Sequence, residues 1–312
     1  MPSRELAAPS LPHATAPGPK AELVSPRVLR LTGAPNAAIY SPIQIQPGTV
    51  ILQASLALST WFNRFGFPFQ RMKELGVAVT YRSCDVDFLA PVQFFDADGL
   101  DIEVTSELGK EGLQARFAVD FFAHLSAQGR EKFGSEDRLH FVRTFICLQP
   151  LSIQNDDHMA GFASRFPPAH TSVYIPEEKT ETVYLSRVPK QVKALELETP
   201  LASRQQPFRL YRHHVEHADQ WYWVYAYPLI CPNRDELCLA DETPEQVLRG
   251  CLSAKTTRIE VHFTRACFLF DQGTVESSAF RTPSGVTFVH RLVGQNPDEK
   301  PFATILEHLA ST

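Results

Sequence analysis

The distribution of apolar residues predicts a long helix in the first quarter of the chain. Between residues 47 and 76, side chains of one face recur at spacings of three and four, and nearly all are apolar. This face consists of Ile51, Leu52, Ser55, Leu58, Trp61, Phe62 and Phe65. Gly66 and Pro68 are expected to interrupt the helix, and Gly76 is a natural C-terminal cap. Because so apolar a helix needs cover, we predict that a curved sheet wraps it.

Strand patterns follow this helix. Residues 77–89 are rich in β-branched and aromatic side chains, and the apolar residues of 100–104 alternate with acidic ones, as in half-buried strands. Residues 117–121 and 141–148 continue the series, and residues 109–112 have the composition of a hairpin turn. We therefore predict one hydrophobic helix followed by four or five antiparallel strands in the first half.

The second half is predicted to repeat the order of strand, helix and strands. Residues 150–206 are rich in proline and charge apart from a strand-like patch at 183–185, and we interpret them as a linker. The aromatic residues of 208–227 favour a strand. A short helix is predicted over 244–253, because Thr243 fits an N-cap and a proline follows it. Further strands are predicted at 258–263, 274–281 and 285–293.

An internal repeat supports this division into two related halves. Val86-Asp87-Phe88, followed by Phe95-Asp96, reappears 175 residues later as Val261-His262-Phe263, followed by Phe270-Asp271. Each copy continues to a glycine turn and into another strand-like segment. We interpret the repeat as the duplication of one structural unit, which decides the fold before any single motif does.

Length and composition indicate a folded protein of ordinary polarity. The chain has 312 residues, of which 44% are hydrophobic and 21% charged, which is enough for two domains of about 100–150 residues each. A net charge of −5 and a pI near 6.1 give no basic surface for nucleic acid. The longest apolar run, residues 50–62, is too short for a bilayer, which needs about 20 residues. We expect neither nucleic acid nor a membrane as partner.

The N-terminal segment and the cysteines bear on the compartment. The first 26 residues contain six prolines and no apolar core of a signal peptide, which predicts a disordered leader over residues 1–26 and no secretory signal. The six cysteines show no C-x-x-C spacing, so free thiols are expected. From both features we predict a cytoplasmic protein.

Two segments resemble hot-dog proteins of the thioesterase/dehydratase superfamily. Phe88-Leu89-Ala90-Pro91-Val92, with the turn Asp98-Gly99 after it, resembles the passage from the strand that follows the family's helix into the next long strand. Asp219-Gln220-Trp221-Tyr222-Trp223-Val224 resembles the bend into the central helix in thioesterases of the 4-hydroxybenzoyl-CoA type.

The second segment also departs from the family pattern. Asp219 falls on the acidic position and Val224 on the valine, but Trp223 replaces the histidine and Tyr222 the usual glycine. The corresponding bend of the first half is expected near residues 44–48, which contain no acid. At most one of the two bends therefore resembles an intact site.

The resemblance implies an α+β fold of the tandem, or double, hot-dog type. Two antiparallel sheets each wrap a central helix, or one continuous sheet wraps both. With the leader at 1–26, the implied division is an N-terminal hot-dog domain at 27–149, a linker at 150–206 and a C-terminal hot-dog domain at 207–312.

The resemblance also implies a site at the second bend. Thioester hydrolysis needs a carboxylate to activate water or attack directly, and backbone N–H donors at a helix N-terminus for the oxyanion. Asp219 would be that carboxylate, and His217 would share a face with it on an extended chain. Capping of a turn is the alternative interpretation for Asp219. Glu245 is a further catalytic candidate, since some hot-dog thioesterases carry a glutamate on the central helix, although the helix dipole also explains it.

Two other features of this region bear on its function. The aromatic residues Trp221, Trp223, Tyr225 and Tyr227 either bind the acyl or aromatic group of a substrate or pack in the core. Residues 213–217 spell H-x-x-E-H, a metallopeptidase signature. The aromatic neighbours favour a strand, which would turn the glutamate away from both histidines, so no metal site is predicted.

Three classes of function stay open at this point. The first is an acyl-thioester hydrolase acting on an acyl or polyketide group carried by CoA or an acyl carrier protein. The second is a dehydratase, isomerase or cyclase of secondary metabolism on the same scaffold. The third is a non-catalytic acyl-binding or partner protein. No G-x-G-x-x-G, P-loop or G-x-S-x-G motif occurs, and no cofactor is predicted. Whether two chains form a homodimer is left open.

Overall fold

The computed structural model describes eleven stretches of the chain. They are residues 20–25, 28–34, 37–65, 77–109, 114–134, 137–153, 162–163, 183–215, 221–240, 246–296 and 298–310.

Strands make up most of these residues. The strands are β1 Lys20–Ser25, β2 Val28–Gly33, β3 Val77–Phe88, β4 Ala97–Gly109, β5 Gln114–Leu125, β6 Arg138–Ile153, β7 Phe162–Ala163, β8 Ala202–Arg209, β9 Thr256–Phe263, β10 Gln272–Thr282, β11 Gly285–Gly294 and β12 Ala303–Ala310. The helices are α1 Pro47–Phe65, α2 Ala127–Phe133, α3 Val188–Leu195, α4 Ala226–Leu239 and α5 Val247–Gly250. Short 3-10 turns lie at Ala37–Ile39, Phe94–Asp96, Arg212–His214, Trp223–Tyr225 and Cys251–Ser253.

One antiparallel sheet runs through both halves of the chain. Its order is β1-β2-β4-β5-β6-β3-β9-β12-β11-β10-β8, and β7 pairs with β6 beside this path. The halves join where β3 pairs with β9, with Ser83 opposite His262 and Asp87 opposite Arg258. Of the two arrangements implied by the resemblance, the continuous sheet is the one observed.

The repeated sequence pattern corresponds to repeated backbone hydrogen bonds. The N–H of Gln93 donates to the carboxylate of Asp96 at 2.8 Å, and 175 residues later the N–H of Phe268 donates to Asp271 at 2.8 Å. The strand ends also match, because Leu89 N–H donates to Phe141 O at 2.9 Å and Thr264 N–H to Phe302 O at 3.0 Å. The duplication is therefore present in the structure as well as in the sequence.

Helix α1 lies in the main hydrophobic core, as its apolar face predicted. Val50 and Ala54 are fully buried, and Leu58 and Trp61 nearly so. The Trp61 ring packs against Phe117 of β5, with centroids 5.0 Å apart in an edge-to-face arrangement. Burial of such an aromatic cluster makes truncation costly, at about 3–5 kcal/mol for Phe→Ala. The sheet is thus held onto α1 by apolar contact.

The central helix of the second half is α4, and the prediction of a helix over 244–253 was wrong for this role. In the described part of that region, residues 246–253, the structure has α5 and the turn Cys251–Ser253, and residues 243–245, with the predicted cap Thr243, lie outside the described residues. Pro232 lies inside α4. Proline is unfavourable in a helix interior because it removes a backbone donor, so its presence in the sequence argues against a helix there. The sequence pattern therefore does not predict α4.

The prediction of a strand over 208–227 was also wrong. Only Phe208 and Arg209 belong to a strand, and the rest forms two 3-10 turns, one bridge and the start of α4 wherever the segment is described. Aromatic residues are common in strands, but here Trp221, Trp223 and Tyr227 are buried in the core beside a helix start. Tertiary packing overrides the local preference.

Several predicted boundaries also differ from the structure. Strand β1 lies within the predicted leader 1–26, and α3 and the start of β8 lie within the predicted linker 150–206. Residues 183–185 have no regular secondary structure. The strands predicted between 77 and 148 and between 258 and 293 are confirmed as β3 to β6 and β9 to β11. Gly66, Pro68 and Gly76 lie outside the described residues.

Candidate functional site

The bend that leads into α4 is fixed by backbone hydrogen bonds. Val215 and Trp221 form an isolated antiparallel bridge. Trp221 N–H donates to Cys267 O at 2.7 Å, and Tyr222 N–H donates to His214 O at 2.9 Å. The turn Trp223–Tyr225 then runs directly into α4. The start of this helix is therefore anchored to the chain segment that follows β9.

A cavity of about 180 Å³ lies beside this bend, and we call it the first cavity. The first half of the chain contributes the beginning of β3, and the second half contributes the bend and the segment after β9. The lining residues are Thr80, Tyr81, Arg82, Trp221, Trp223, Phe263, Thr264, Arg265, Ala266 and Cys267. The first cavity is thus formed only when the two halves meet.

Aromatic rings make one wall of the first cavity. Tyr81 stacks on Trp223 with centroids 4.6 Å apart, and Trp221 packs edge-on against Phe263 at 6.0 Å. Trp221 and Trp223 are 7% and 3% exposed, and no described group accepts a hydrogen bond from the Trp221 indole N–H. A buried donor without a partner carries a desolvation cost of about 1–3 kcal/mol. A ligand carbonyl or a water in the cavity would remove that cost.

A small polar cluster continues the wall toward α1. The Ser55 and Tyr222 hydroxyls lie 2.7 Å apart and share a hydrogen bond. Burial, and next the neighbouring Tyr222, raise the pKa of Tyr81 well above its usual range. Tyr81 therefore keeps its proton at neutral pH, and its hydroxyl is neutral.

The cavity has no described nucleophile in reactive form. Burial, and next the charge of Asp271, raise the pKa of the Cys267 thiol far above neutrality, so Cys267 is a thiol rather than a thiolate. The charged side chains at the rim are Arg82 and Arg265. Arg265 is engaged with Glu299 at 2.8 Å and with the ring of Phe302 at 3.7 Å.

Solved structures with a similar fold are thioesterases. The putative oleoyl thioesterase from Lactobacillus plantarum superposes with a TM-score of 0.66 at 11% identity, over 91% of this chain and 96% of that one. The 12:0-ACP thioesterase from Umbellularia californica gives 0.59 at 10%, over 93% and 100%. An acyl-ACP thioesterase from Bacteroides thetaiotaomicron gives 0.56 at 7%, over 90% and 97%.

The chain has a double hot-dog fold. No protein-family model and no curated protein matched its sequence. At 7–11% identity the structural likeness defines the architecture and leaves the chemistry to the residues of the site. Within the described residues, no helix is long and apolar enough to cross a membrane.

Four of the seven predicted site residues lie in the described part of the chain. Asp219, His217 and Glu245 lie outside the described residues. Trp221 and Trp223, two of the predicted substrate-binding residues, line the first cavity. Neither Tyr225 nor Tyr227 is among the described residues that line this cavity.

The predicted substrate-binding residues Tyr225 and Tyr227 face other surroundings. Tyr225 is half-buried and packs against the rings of His214 at 5.6 Å and Tyr222 at 6.2 Å. Tyr227 is the second residue of α4 and lines a different cavity. The four aromatic residues were predicted as one strand, and the helical geometry of this segment is what separates them.

Residues 213–215, the described part of the H-x-x-E-H segment, do not form the strand that was expected, and Glu216 and His217 lie outside the described residues. Arg212–His214 is a 3-10 turn, and the rings of His213 and His214 lie 3.9 Å apart on the surface. Burial, and next the neighbouring His213, lower the pKa of His214. In the described part of the chain, no group of three or more His, Cys, Asp or Glu side chains is arranged to hold a metal ion.

A larger cavity of about 560 Å³ lies between the bend before α1 and helix α4, and we call it the second cavity. The lining residues are Ser41, Ile43, Gln44, Gln46, Pro47, Gly48, Tyr227, Pro228, Cys231, Pro232, Arg234, Asp235, Cys251, Leu252, Ala254, Thr256 and Leu309.

A buried polar network stands behind the wall of the second cavity. Glu307 is fully buried and accepts hydrogen bonds from Tyr227 at 2.7 Å and Arg234 at 2.6 Å. Its other oxygen lies 3.7 Å from the ring of His290, which in turn bonds Ser277 at 2.7 Å. Burial acts to raise the pKa of Glu307, but the Arg234 charge and these hydrogen bonds hold it at about 2.

Sequence reasoning missed this network, although a signal for it existed. Ile305, Glu307 and Leu309 alternate along β12, so the carboxylate shares the buried face with two apolar side chains. An acid on the apolar face of a strand predicts a buried partner. The identity of that partner, Arg234 on α4, follows only from the fold.

Proposed function

We propose that this protein hydrolyses acyl thioesters carried by CoA or by an acyl carrier protein. The neighbours of similar fold are described as oleoyl and acyl-ACP thioesterases. The observation that carries the proposal is the first cavity. It lies between the two halves, beside the start of the second central helix, and two tryptophans wall it. An acyl-pantetheine arm entering at this junction would place its thioester near the helix start.

The proposed catalytic groups come from the bend itself. Asp219 precedes the cavity-lining Trp221 by two residues, and two residues span at most about 7 Å. A carboxylate within this reach can act as general base toward water or attack the thioester carbon directly. His217 is proposed to assist it, and the first N–H groups of the helical segment are proposed to stabilise the oxyanion.

The chemistry of the remaining cavity residues supports a role for Asp219. Cys267 and Tyr81 both have pKa values raised by burial, so neither supplies an anion at neutral pH. The rim arginines Arg82 and Arg265 are cations and accept no proton. A base for hydrolysis must therefore come from the adjoining segment, where Asp219 and His217 are the proposed groups. Glu245 remains a predicted catalytic residue of lower rank.

Release of free thiol tests the proposal directly. The purified protein is mixed with a panel of acyl-CoA and acyl-carrier-protein thioesters, and thiol is followed with a chromogenic disulfide reagent. Asp219→Asn is expected to reduce the rate about a hundredfold or more, the range for loss of a general base. Asp98→Asn, at an exposed aspartate, is the matched control and should retain the activity of the parent protein.

Intact-mass analysis of the same mixtures separates the competing functions. A product of changed mass or unsaturation without free thiol would replace hydrolysis by a lyase or isomerase reaction. Unchanged thioester together with a raised melting temperature would indicate a binding protein. Full activity of Asp219→Asn would show that another group is the base.

A further inference from the structure

We infer that the second cavity is a separate binding site for an acyl thioester, which it holds without hydrolysing. The inference rests on the substrate class proposed above and assigns that class to a second place in the fold. It is carried by the internal symmetry of the chain, the size and lining of the cavity, its charge balance and the absence of a base from its bend.

The two cavities occupy corresponding places in the two halves. Ile45 N–H donates to Val92 O at 3.1 Å, as Trp221 N–H does to Cys267 O in the second half. Val92 and Cys267 are 175 residues apart, the offset of the sequence repeat. The second cavity therefore adjoins the bend before α1 in the way that the first cavity adjoins the bend before α4.

The wall at β9 repeats the same correspondence. Thr256 lines the second cavity and Tyr81 lines the first, and these residues are also 175 positions apart. Gln44 donates from its side-chain amide to Thr256 O at 3.2 Å, which ties the bend of the first half to a strand of the second. Each cavity thus lies between one half's bend and the other half's strand.

Size and lining suit a pantetheine arm with an acyl chain. A volume of about 560 Å³ falls within the range of about 300–1,000 Å³ found for ligand pockets. Neutral polar groups lie at the bend, where Ser41, Gln44 and Gln46 can meet the amides of the arm. The apolar part of the wall, suited to an acyl chain, consists of Ile43, Pro47, Pro228, Pro232, Leu252, Ala254 and Leu309.

The charge balance favours a neutral ligand over a free acid. Arg234 is the single cation among the described lining residues and Asp235 the single acid. The Arg234 guanidinium already donates to Asp235 at 2.9 Å and to Glu307 at 2.6 Å. A fatty-acid carboxylate would lose water without gaining a cation in return, which is unfavourable. A thioester carries no such charge.

The bend beside this cavity lacks the groups that hydrolysis needs, and the one acid among the described lining residues, Asp235, is paired with Arg234 at 2.7 Å. The residues between Tyr40 and Ile45 are Ser-Pro-Ile-Gln, without acid or histidine, whereas the corresponding stretch of the second half contains Asp219. Burial, and next the charge of Glu307, raise the pKa of the Cys231 thiol to about 12, so it is not a thiolate at neutral pH. The second cavity can therefore hold a thioester and leave it intact.

Binding stoichiometry tests this inference. S-dodecyl-CoA, a thioether that has no bond to hydrolyse, is titrated into the full chain and followed by calorimetry and native mass spectrometry. Two molecules per chain are expected for the parent protein. Ala254→Trp, which fills the second cavity, should bind one and keep the parent rate of thiol release. Ala194→Trp, at an exposed position of α3, is the matched control and should bind two.

Several results would overturn the inference. One molecule bound to the parent protein, or two bound to Ala254→Trp, would mean that the second cavity is not a thioester site. Loss of thiol release in a folded Ala254→Trp protein would make it the reactive site. Should that variant fail to fold, Leu252→Trp at a 40% exposed lining position carries the same expectations.

The test separates this inference from the proposed function. If two molecules bind but no thioester is hydrolysed, the proposed function fails and the second site stands. If thiol is released but only one molecule binds, the function stands and the second site fails. S-dodecyl-pantetheine should bind the second cavity as S-dodecyl-CoA does, because the described lining residues offer no free cation to the nucleotide phosphates. Free dodecanoate should not compete there.

Discussion

The buried pair Glu307–Arg234 offers the sharpest test of the electrostatics of the second half. Glu307 is 0% exposed, Arg234 is 21% exposed, and their nearest atoms are 2.6 Å apart. Replacing Glu307 by Gln removes the negative charge and leaves the guanidinium without its buried counter-ion. Breaking a buried pair from one side typically costs about 3–5 kcal/mol. We expect Glu307→Gln to lower the free energy of unfolding by this amount at pH 7.

The pKa of Glu307 gives a second measure of the same energy. Folding lowers this pKa from 4.5 to about 2, and at 1.36 kcal/mol for each factor of ten in proton affinity the difference corresponds to about 3 kcal/mol. Because the folded-state pKa is the lower one, the stabilisation is complete above pH 4.5 and is lost as the pH falls through about 2. The two magnitudes agree.

Urea unfolding of five proteins measures the effect. The parent chain and Glu307→Gln are compared with Glu299→Gln, an exposed carboxylate paired with Arg265 at 2.8 Å, whose loss should cost less than about 1 kcal/mol. The fourth protein is Arg234→Met. The fifth combines it with Glu307→Gln and should lose less than the sum of the two single changes. The ion-pair argument is refuted if the losses of unfolding free energy add up in the double variant. It is also refuted if Glu307→Gln loses no more unfolding free energy than Glu299→Gln.

Two further predictions concern the sheet junction and helix α2. Asp85 lies opposite Glu260 where β3 pairs with β9. Burial, and next the Glu260 carboxylate, raise the pKa of Asp85 from 3.8 to about 6, so the protein should lose stability as the pH rises from 3.8 through about 6. Asp85→Asn should then be more stable than the parent by up to about 3 kcal/mol at pH 8 and equal to it near pH 3.5 in thermal unfolding; equal stability at pH 8 would contradict this. Alanine usually stabilises a helix relative to glycine by about 1 kcal/mol, but a Cβ at Gly129 would overlap the carbonyl oxygen of Asp96. Gly129→Ala should therefore lower the melting temperature. Gly33→Ala is the control and should not lower it, because the space around Gly33 is open. A raised melting temperature of Gly129→Ala would contradict the predicted overlap with Asp96.

Prediction from sequence succeeded where one local rule was enough. The apolar face of 47–65 required a buried helix, and alternation along 77–89 and 100–104 required strands, because these periods are those of the backbone itself. The same local rules failed at α4. There Pro232 breaks the helical pattern and Asn233 is a polar residue in the core, held by Ser277 at 2.7 Å and Val275 O at 3.1 Å. No local period encodes partners on a strand more than 40 residues away.

The sequence by itself determined the duplication and the chemical difference between its two bends. The offset of 175 residues, the acid before the second bend and the lack of one before the first can all be read directly from the chain. Tertiary structure alone decided that β3 pairs with β9, that Arg234 meets Glu307 and that a cavity opens on each side of this junction. The physical reason is that these contacts join distant segments through packing and desolvation, and a local pattern records which face of an element is apolar but not which element covers it.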